Sequence, residues 1–276
     1  MEYDILYQLF MGLLQGLTEW LPVSSSGHLV LAQHFFDVEE RTLFDAILHL
    51  GTLLAMTIYF RSDIKPLLSF KSPLTFKIIL ASIPIILVGF FFPDLVEAAF
   101  ENARIVAIFL IINGCVLTIN LFLDRVKKET PEKEEKEKFN EKGEDGLKEK
   151  KERKESIDIT MNNSVLIGIF QIFAIFPGMS RSGTTITTGR VLGLDWKTAA
   201  KFSFFISFLP VAGAVWFKVI TAWNEFEPLY LLGFFVAFLV GYASIDIMMK
   251  ILGMGKFHYF GVYTIIVGVV MLSLFL

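Results

Sequence analysis

The sequence predicts an all-α polytopic membrane protein built as an inverted-topology repeat, each half one re-entrant helical hairpin plus three transmembrane helices. Three observations carry that prediction. The 276-residue chain is 54% hydrophobic and 14% aromatic, with a mean hydropathy of +0.59, above the ~45–50% apolar share, glycine included, of soluble domains. Six of its apolar stretches approach or exceed the ~20 residues a helix needs to cross a ~30 Å hydrocarbon core. Two more apolar stretches are interrupted in their middles, by "LPVSSSGH" (21–28) and "FPGMSRSGTT" (176–185).

The first element, residues 4–36, is an interrupted stretch. Pro22 supplies no amide hydrogen to a helix ladder, and the serines and Gly27 beside it favour a turn. Unwound backbone inside a bilayer is tolerated only where protein or a water-filled cavity satisfies it, so the break must point into a polar site. Crossings are then expected at 43–60, 74–93 and 103–123, completing a first repeat over 1–123. Residues 124–158 hold 12 of the 25 basic and 13 of the 28 acidic side chains, interrupted by Pro131, Gly143 and Gly146. Such a mixed-charge run has no face to bury, and 124–160 reads as a solvated cytoplasmic linker. A second hairpin at 162–192, broken at Pro177, and crossings at 198–222, 228–250 and 258–276 make the second repeat, 161–276. The single cysteine, Cys115, excludes an intramolecular disulfide. Met1 is followed by acidic Glu2 and Asp4, which predicts no cleavable leader. With a formal net charge of −3, no nucleic-acid partner is expected.

The halves are related beyond their plan. At a constant offset of 156, residues 12–28 set against 168–184 match Gly12 with Gly168, Gln15 with Gln171, Ser24 with Ser180, Ser26 with Ser182 and Gly27 with Gly183. Small and polar matches at two helix breaks are what a duplicated unit leaves behind. A hairpin enters and leaves on one side, and three crossings are an odd number, so the second half is inverted relative to the first. With the linker cytoplasmic, twelve lysines and arginines, Arg61, Arg190 and Lys256 among them, fall on the inner side and only Arg41, Arg104 and Lys218 on the outer, as the positive-inside rule requires. The two broken tips then meet near the midplane.

The tips carry the chemistry. Gln15 and Glu19 share a helix face at i, i+4, and an ionisable residue at membrane depth is a functional candidate by default. Ser24, Ser25 and His28 follow, with His28 a candidate base or nucleophile. In the second tip Arg181 offers a planar fork of donors suited to phosphate, and Ser180, Ser182, Thr184 and Thr185 with the glycine amides form an anion cradle ahead of a helix. A carboxylate opposed to an arginine points to a phosphate-bearing substrate with a bridging divalent metal.

Four stretches, "GLLQGLTEWLPVSSSGH", "FDAILHLGTLLA", "PGMSRSGTT" and "AAKFSF", closely resemble the undecaprenyl-diphosphate phosphatases of the bacitracin-resistance type, over the whole chain apart from the linker. The resemblance implies a phosphoric anhydride hydrolase of the cell membrane that removes the terminal phosphate of a polyprenyl diphosphate and regenerates the lipid carrier of cell-wall assembly. It implies an interlocked inverted repeat whose site opens to the outer face. It also implies Glu19, Ser25, His28 and Arg181 as catalytic residues, with Ser24, Ser180, Arg181, Ser182 and Thr185 on the substrate phosphates. Gln15 and Glu19 would hold Mg2+ or Ca2+, and a homodimer is a further expectation. Three features depart from the family pattern: glutamine at position 15, Pro210 one position late after "FSF", and a long charged insert. Two other readings start from the same residues. A lipid-phosphate or anion transporter shares the inverted-repeat plan, and a membrane scaffold would use the small residues for packing but leaves Glu19, His28 and Arg181 without a task.

Overall fold

The computed structural model describes residues 2–38, 42–67, 72–129 and 159–275. Among these there is no strand; the chain forms α1 (Glu2–Thr18), α2 (Ser25–Phe35), α3 (Thr42–Tyr59), α4 (Arg61–Leu67), α5 (Pro73–Phe91), α6 (Pro93–Phe100), α7 (Ala103–Glu129), α8 (Met161–Gln171), α9 (Arg181–Val191), α10 (Trp196–Thr221), α11 (Tyr230–Gly253) and α12 (His258–Phe275). Helices α5, α7, α10, α11 and α12 are long and apolar enough to cross a membrane, and α3 with α4, bent by 89° from it, counts as a sixth where the bent pair is taken as one span. The protein is therefore an all-α polytopic membrane protein.

Helices α2, α8 and α9 have 11 residues each, about 16 Å at 1.5 Å per residue, roughly half of a ~30 Å hydrocarbon core. Each packs against its neighbour in the chain, α2 on α1 and α8 on α9. Packing interleaves the two halves: α1 lies on α11 and α8 on α5, while α3 packs on α11 and α10 on α5. Small residues permit the approach, since a Cβ on Gly12 would stand 2.6 Å from the Gly233 carbonyl oxygen and one on Gly168 would run into the Ala81 backbone. Close backbone contact of this kind replaces the hydrophobic driving force that lipid cannot supply between helices.

The C-terminal ends of α3 and α11 and the N-terminal end of α10 gather at one end of the bundle around a groove of about 680 Å³. There Lys201 meets Asp63 at 2.7 Å, and buried Arg190 meets Asp124 at 2.9 Å. At the other end Leu43, Phe44, Ala222 and Tyr230 close a separate apolar core.

Three features differ from the sequence-based expectation. The first crossing ends in the sharp bend at Phe60, where α4 begins. Helix α7 runs to Glu129 instead of 123, because charged residues extend a helix readily once it has left the apolar layer. Within the segment expected to be solvated linker, Ile159 is 1% exposed and packs in the main core with Leu194 and Phe257. The rest of that segment, 130–158, lies outside the described residues.

Candidate active site

The two breaks are built alike. Ser24 caps α2, its Oγ accepting from the Gly27 amide at 3.3 Å, and Ser180 caps α9, its Oγ accepting from the Gly183 amide at 3.0 Å. Each cap hydroxyl also lies against the serine two residues on, Ser26 at 3.4 Å and Ser182 at 3.2 Å. The matched residues of the two halves thus make matched bonds. Such caps satisfy amides that a helix start leaves orphaned, at about 1 kcal/mol each. Ser24 does more: at φ 69° it occupies a region unfavourable for a residue with a Cβ, and its Oγ also accepts from the Gly178 amide of the other tip at 3.0 Å. Gly178, at φ 98°, sits with its Cα 2.9 Å from where a Gly27 Cβ would be, so the tips touch backbone to backbone.

Both helices present their first residue to the same carboxylate. Ser25 opens α2 and its hydroxyl donates to Glu19 Oε2 at 2.6 Å; Arg181 opens α9 and its Nη2 donates to Glu19 Oε1 at 2.5 Å. From α1 the Gln15 amide donates to Oε2 at 3.0 Å, and from α3 the His49 Nε2 stands 3.5 Å from the same oxygen. The Glu19 side chain is 3% exposed, whereas Arg181 and His49 keep 18% and 25%. A buried carboxylate therefore lies against two nitrogen-bearing side chains that stay partly exposed. Charge-assisted bonds of this type are roughly twice as strong as neutral ones.

Of the residues singled out in the sequence, Gln15, Glu19, Ser25 and Arg181 come together. The others bond elsewhere within the protein, except Thr184, whose buried Oγ1 has no hydrogen-bond partner. The Ser182 hydroxyl donates to the Leu21 carbonyl at 3.3 Å. Thr185 donates to the Arg181 carbonyl at 2.7 Å and lies 2.6 Å from the Ser203 hydroxyl. His28 Nδ1 donates to the Ser24 carbonyl at 2.8 Å, which leaves Nε2 to accept from the Tyr263 hydroxyl of α12 at 2.9 Å. Both ring nitrogens are thus engaged away from Glu19.

Two site residues escaped the sequence reading. His49 lies inside the quoted "FDAILHLGTLLA" but drew no role; a histidine in an apolar crossing was the available signal. Asn113 of α7 is fully buried, accepts from the Ser180 amide through Oδ1 at 3.0 Å and donates to the Pro22 carbonyl through Nδ2 at 3.1 Å. One side-chain amide thereby satisfies a broken backbone group in each tip, which hydrocarbon could not do.

Among the described residues no three His, Cys, Asp or Glu side chains form a self-sufficient metal cage. The site does offer the Glu19 carboxylate and, one turn earlier, the Gln15 Oε1, buried and without a hydrogen-bond partner. Two hard oxygens are donors of the kind that a Mg2+ or Ca2+ ion would take, with water and substrate phosphate as its further ligands.

The family model described as bacitracin resistance protein BacA matches residues 8–270. Among curated relatives, the undecaprenyl-diphosphatase of Methanobrevibacter smithii is 34% identical, covering 97% of this chain and 96% of its own length. Those of Carboxydothermus hydrogenoformans and Caldicellulosiruptor bescii are each 35% identical, covering 96% and 97% of this chain and 95% and 96% of their own lengths.

Proposed function

We infer from its membership of the bacitracin resistance protein BacA family that this chain is a multi-pass membrane undecaprenyl-diphosphatase, hydrolysing the lipid diphosphate to the monophosphate and inorganic phosphate. The relatives are named as phosphatases, and the transporter and scaffold readings find no support beside them.

We further propose Ser25 as the nucleophile. The observation that carries this is the single carboxylate that accepts both the Ser25 hydroxyl and the Arg181 guanidinium. Glu19 takes the Ser25 proton while Oγ forms a bond to the terminal phosphorus; the bridging P–O bond breaks, and its electron pair leaves with the lipid monophosphate. Water then hydrolyses the phosphoserine, Glu19 again holding the proton in transit. Arg181 and the amides opening α9 stabilise the charge on the transferring phosphoryl group. His28 acts by fixing the Ser24 turn, through its bond to the Ser24 carbonyl, and so the position of Ser25. Ser24, Ser180, Ser182 and Thr185 contribute in the same way, by shaping the phosphate cradle. Glu19 and Gln15 would hold the divalent cation, which when bound supplies neutralising charge to the diphosphate.

The finer arrangement belongs to the same proposal. The halves are inverted repeats, the site opens to the outer face, and two copies pair in the membrane. The matched caps and the interleaved packing support the first; the positive-inside count supports the second. Impermeant thiol labelling in a Cys115→Ala background should reach a cysteine at Glu225 from outside but not one at Lys256, and the reverse pattern would overturn the orientation. Crosslinking in native membranes reads the pairing.

The nucleophile is tested by phosphate release from detergent-solubilised protein. Ser25→Ala should abolish turnover, and rapid acid quench of the wild type on labelled substrate should trap phosphoserine. A Ser25→Ala enzyme with near-normal turnover would refute Ser25 attack.

A further inference from the structure

A lipid diphosphate carries two anionic groups, and most hydroxyls around the Glu19 cluster are already committed to the protein. Ser24 receives two amides, Ser180 one, Ser182 bonds a carbonyl, and Thr185 bonds a carbonyl and Ser203. Besides Ser25, Arg181 and His49 reach the Glu19 cluster with part of their side chains exposed, Arg181 as a donor and His49 through a ring nitrogen that Asp45 leaves free. We propose that His49 is a second diphosphate contact, so that the substrate is clamped between α9 and α3, with Arg181 on one phosphate and His49 on the other. This rests on the diphosphate binding at the Glu19–Arg181 cluster, but not on which group attacks it.

The geometry of His49 suits the task. Its Nδ1 donates to the Asp45 carbonyl one turn earlier at 2.8 Å, which fixes the ring and turns Nε2 toward the cluster. The 3.5 Å separation from Glu19 Oε2 lies beyond the usual 2.7–3.2 Å of an N–H···O bond, so Nε2 is near the carboxylate without a hydrogen bond of normal length to it. The base of the ring is anchored: the Asp45 carboxylate accepts from the Gln33 amide of α2 at 3.0 and 2.9 Å, and Gly51 sets α3 directly on the Phe234 carbonyl of α11. A ring fixed at its base and partly exposed at its tip is preorganised for a ligand. A bond between Nε2 and a phosphate oxygen needs one proton between them, and the diphosphate's own P–OH group can supply it.

The test compares His49→Leu with His49→Gln, whose amide keeps a hydrogen-bonding group, acceptor as well as donor, at similar reach. Loss of a hydrogen bond to a charged phosphate should raise KM about tenfold or more in His49→Leu with kcat within about threefold, and weaken a methylene-bridged, non-hydrolysable diphosphonate lipid to a similar degree. His49→Gln should recover most of both. Inhibition by the lipid monophosphate, which has one phosphate for Arg181 to hold, should change little. Unchanged affinity for the diphosphonate in His49→Leu, or a fall in kcat alone in both variants, would overturn the proposal and leave His49 acting through Glu19. Thermal unfolding checks that His49→Leu is folded; if it is not, His49→Asn, whose shorter amide stops short of the mouth, takes its place with the same expected loss. Diphosphonate affinity is read without turnover, so an error about Ser25 would appear only in the Ser25→Ala rate and would not be mistaken for an error about His49.

Discussion

Replacing Asn113 with leucine, which has the same number of side-chain heavy atoms and a similar branched outline, removes both bonds by which Asn113 bridges the tips. Two backbone groups are then orphaned in a fully buried place: the Ser180 amide and the Pro22 carbonyl. Side-chain bonds between membrane helices average only about 0.6 kcal/mol, which would give a loss near 1 kcal/mol for the pair. That average applies to groups whose backbone is already helical. Here the partners are main-chain groups at helix breaks, with no ladder to fall back on, and an unsatisfied buried group costs about 1–3 kcal/mol. The second estimate governs, so Asn113→Leu should lose roughly 2–6 kcal/mol. Turnover should fall as well, because Pro22 lies three residues from Glu19 and Ser180 adjoins Arg181; displacement of reacting groups by about 1 Å costs on the order of 100-fold. The control is Asn120→Leu, in the same helix, whose amide bonds the Leu117 carbonyl and Thr187 at 3.1 and 2.8 Å, away from the tips. It should lose stability with little loss of rate. Unfolding in detergent and phosphate release well below both transition midpoints provide the readings. An Asn113→Leu protein within about 1 kcal/mol and twofold in rate of the wild type would refute the assignment of Asn113 as the strut between the tips.

Arg181→Lys should lower turnover by about 100-fold or more, since a point charge cannot reproduce the guanidinium fork; near-normal phosphate release would make Arg181 structural. Chelating divalent cations should suppress activity, and added Mg2+ should restore it; full activity in excess chelator removes the metal from the site. Ser24→Ala should lose about 1–2 kcal/mol in detergent unfolding, because the cap and the Gly178 contact go together. At the charged end of the bundle, Asp195 caps α10. Burial pushes its pKa up, but hydrogen bonds from Thr198 and the Lys197 amide outweigh that and hold it below its ordinary value. Its stabilisation is therefore complete above the unfolded value of ~3.9 and is lost as pH falls through the lower folded value. Asp195→Asn should flatten the acid limb of the unfolding midpoint below about pH 4, and an unchanged limb would show that the cap does not contribute.

The breaks were legible because proline, glycine and serine inside an apolar run have no cheaper explanation than an unwound tip. Their chemistry was legible because Glu19 and Arg181 are ionisable side chains that a bilayer does not tolerate without a partner. The register of the helices was not. A run of threonines beside Arg181 looks like one cradle in sequence, but α9 turns Thr185 away to Ser203. His28 looked like a base beside Glu19, yet α2 points its ring at Tyr263, 235 positions along the chain. Asn113 was invisible for a related reason: its partners lie 91 and 67 residues away, and nothing local in the apolar run "LIINGCVL" (110–117) marks which polar residue will find a neighbour. The bend into α4 also leaves no trace, because hydropathy records burial along the chain and not its direction.

The exchange of partners between the halves has a consequence for biogenesis. Helix α1 leaves the ribosome early, but the surface that receives its glycine face belongs to α11, more than 200 residues later. Until then the nascent hairpin has only α3 and α7 beside it, and although Asn113 of α7 can reach its unwound tip, Ser24 must wait for Gly178 of the second half. Contacts of such long sequence separation form late. The first half is thus poorly suited to persist alone, and a gene cut within the charged segment should yield stable protein only when both pieces are made together in the same membrane.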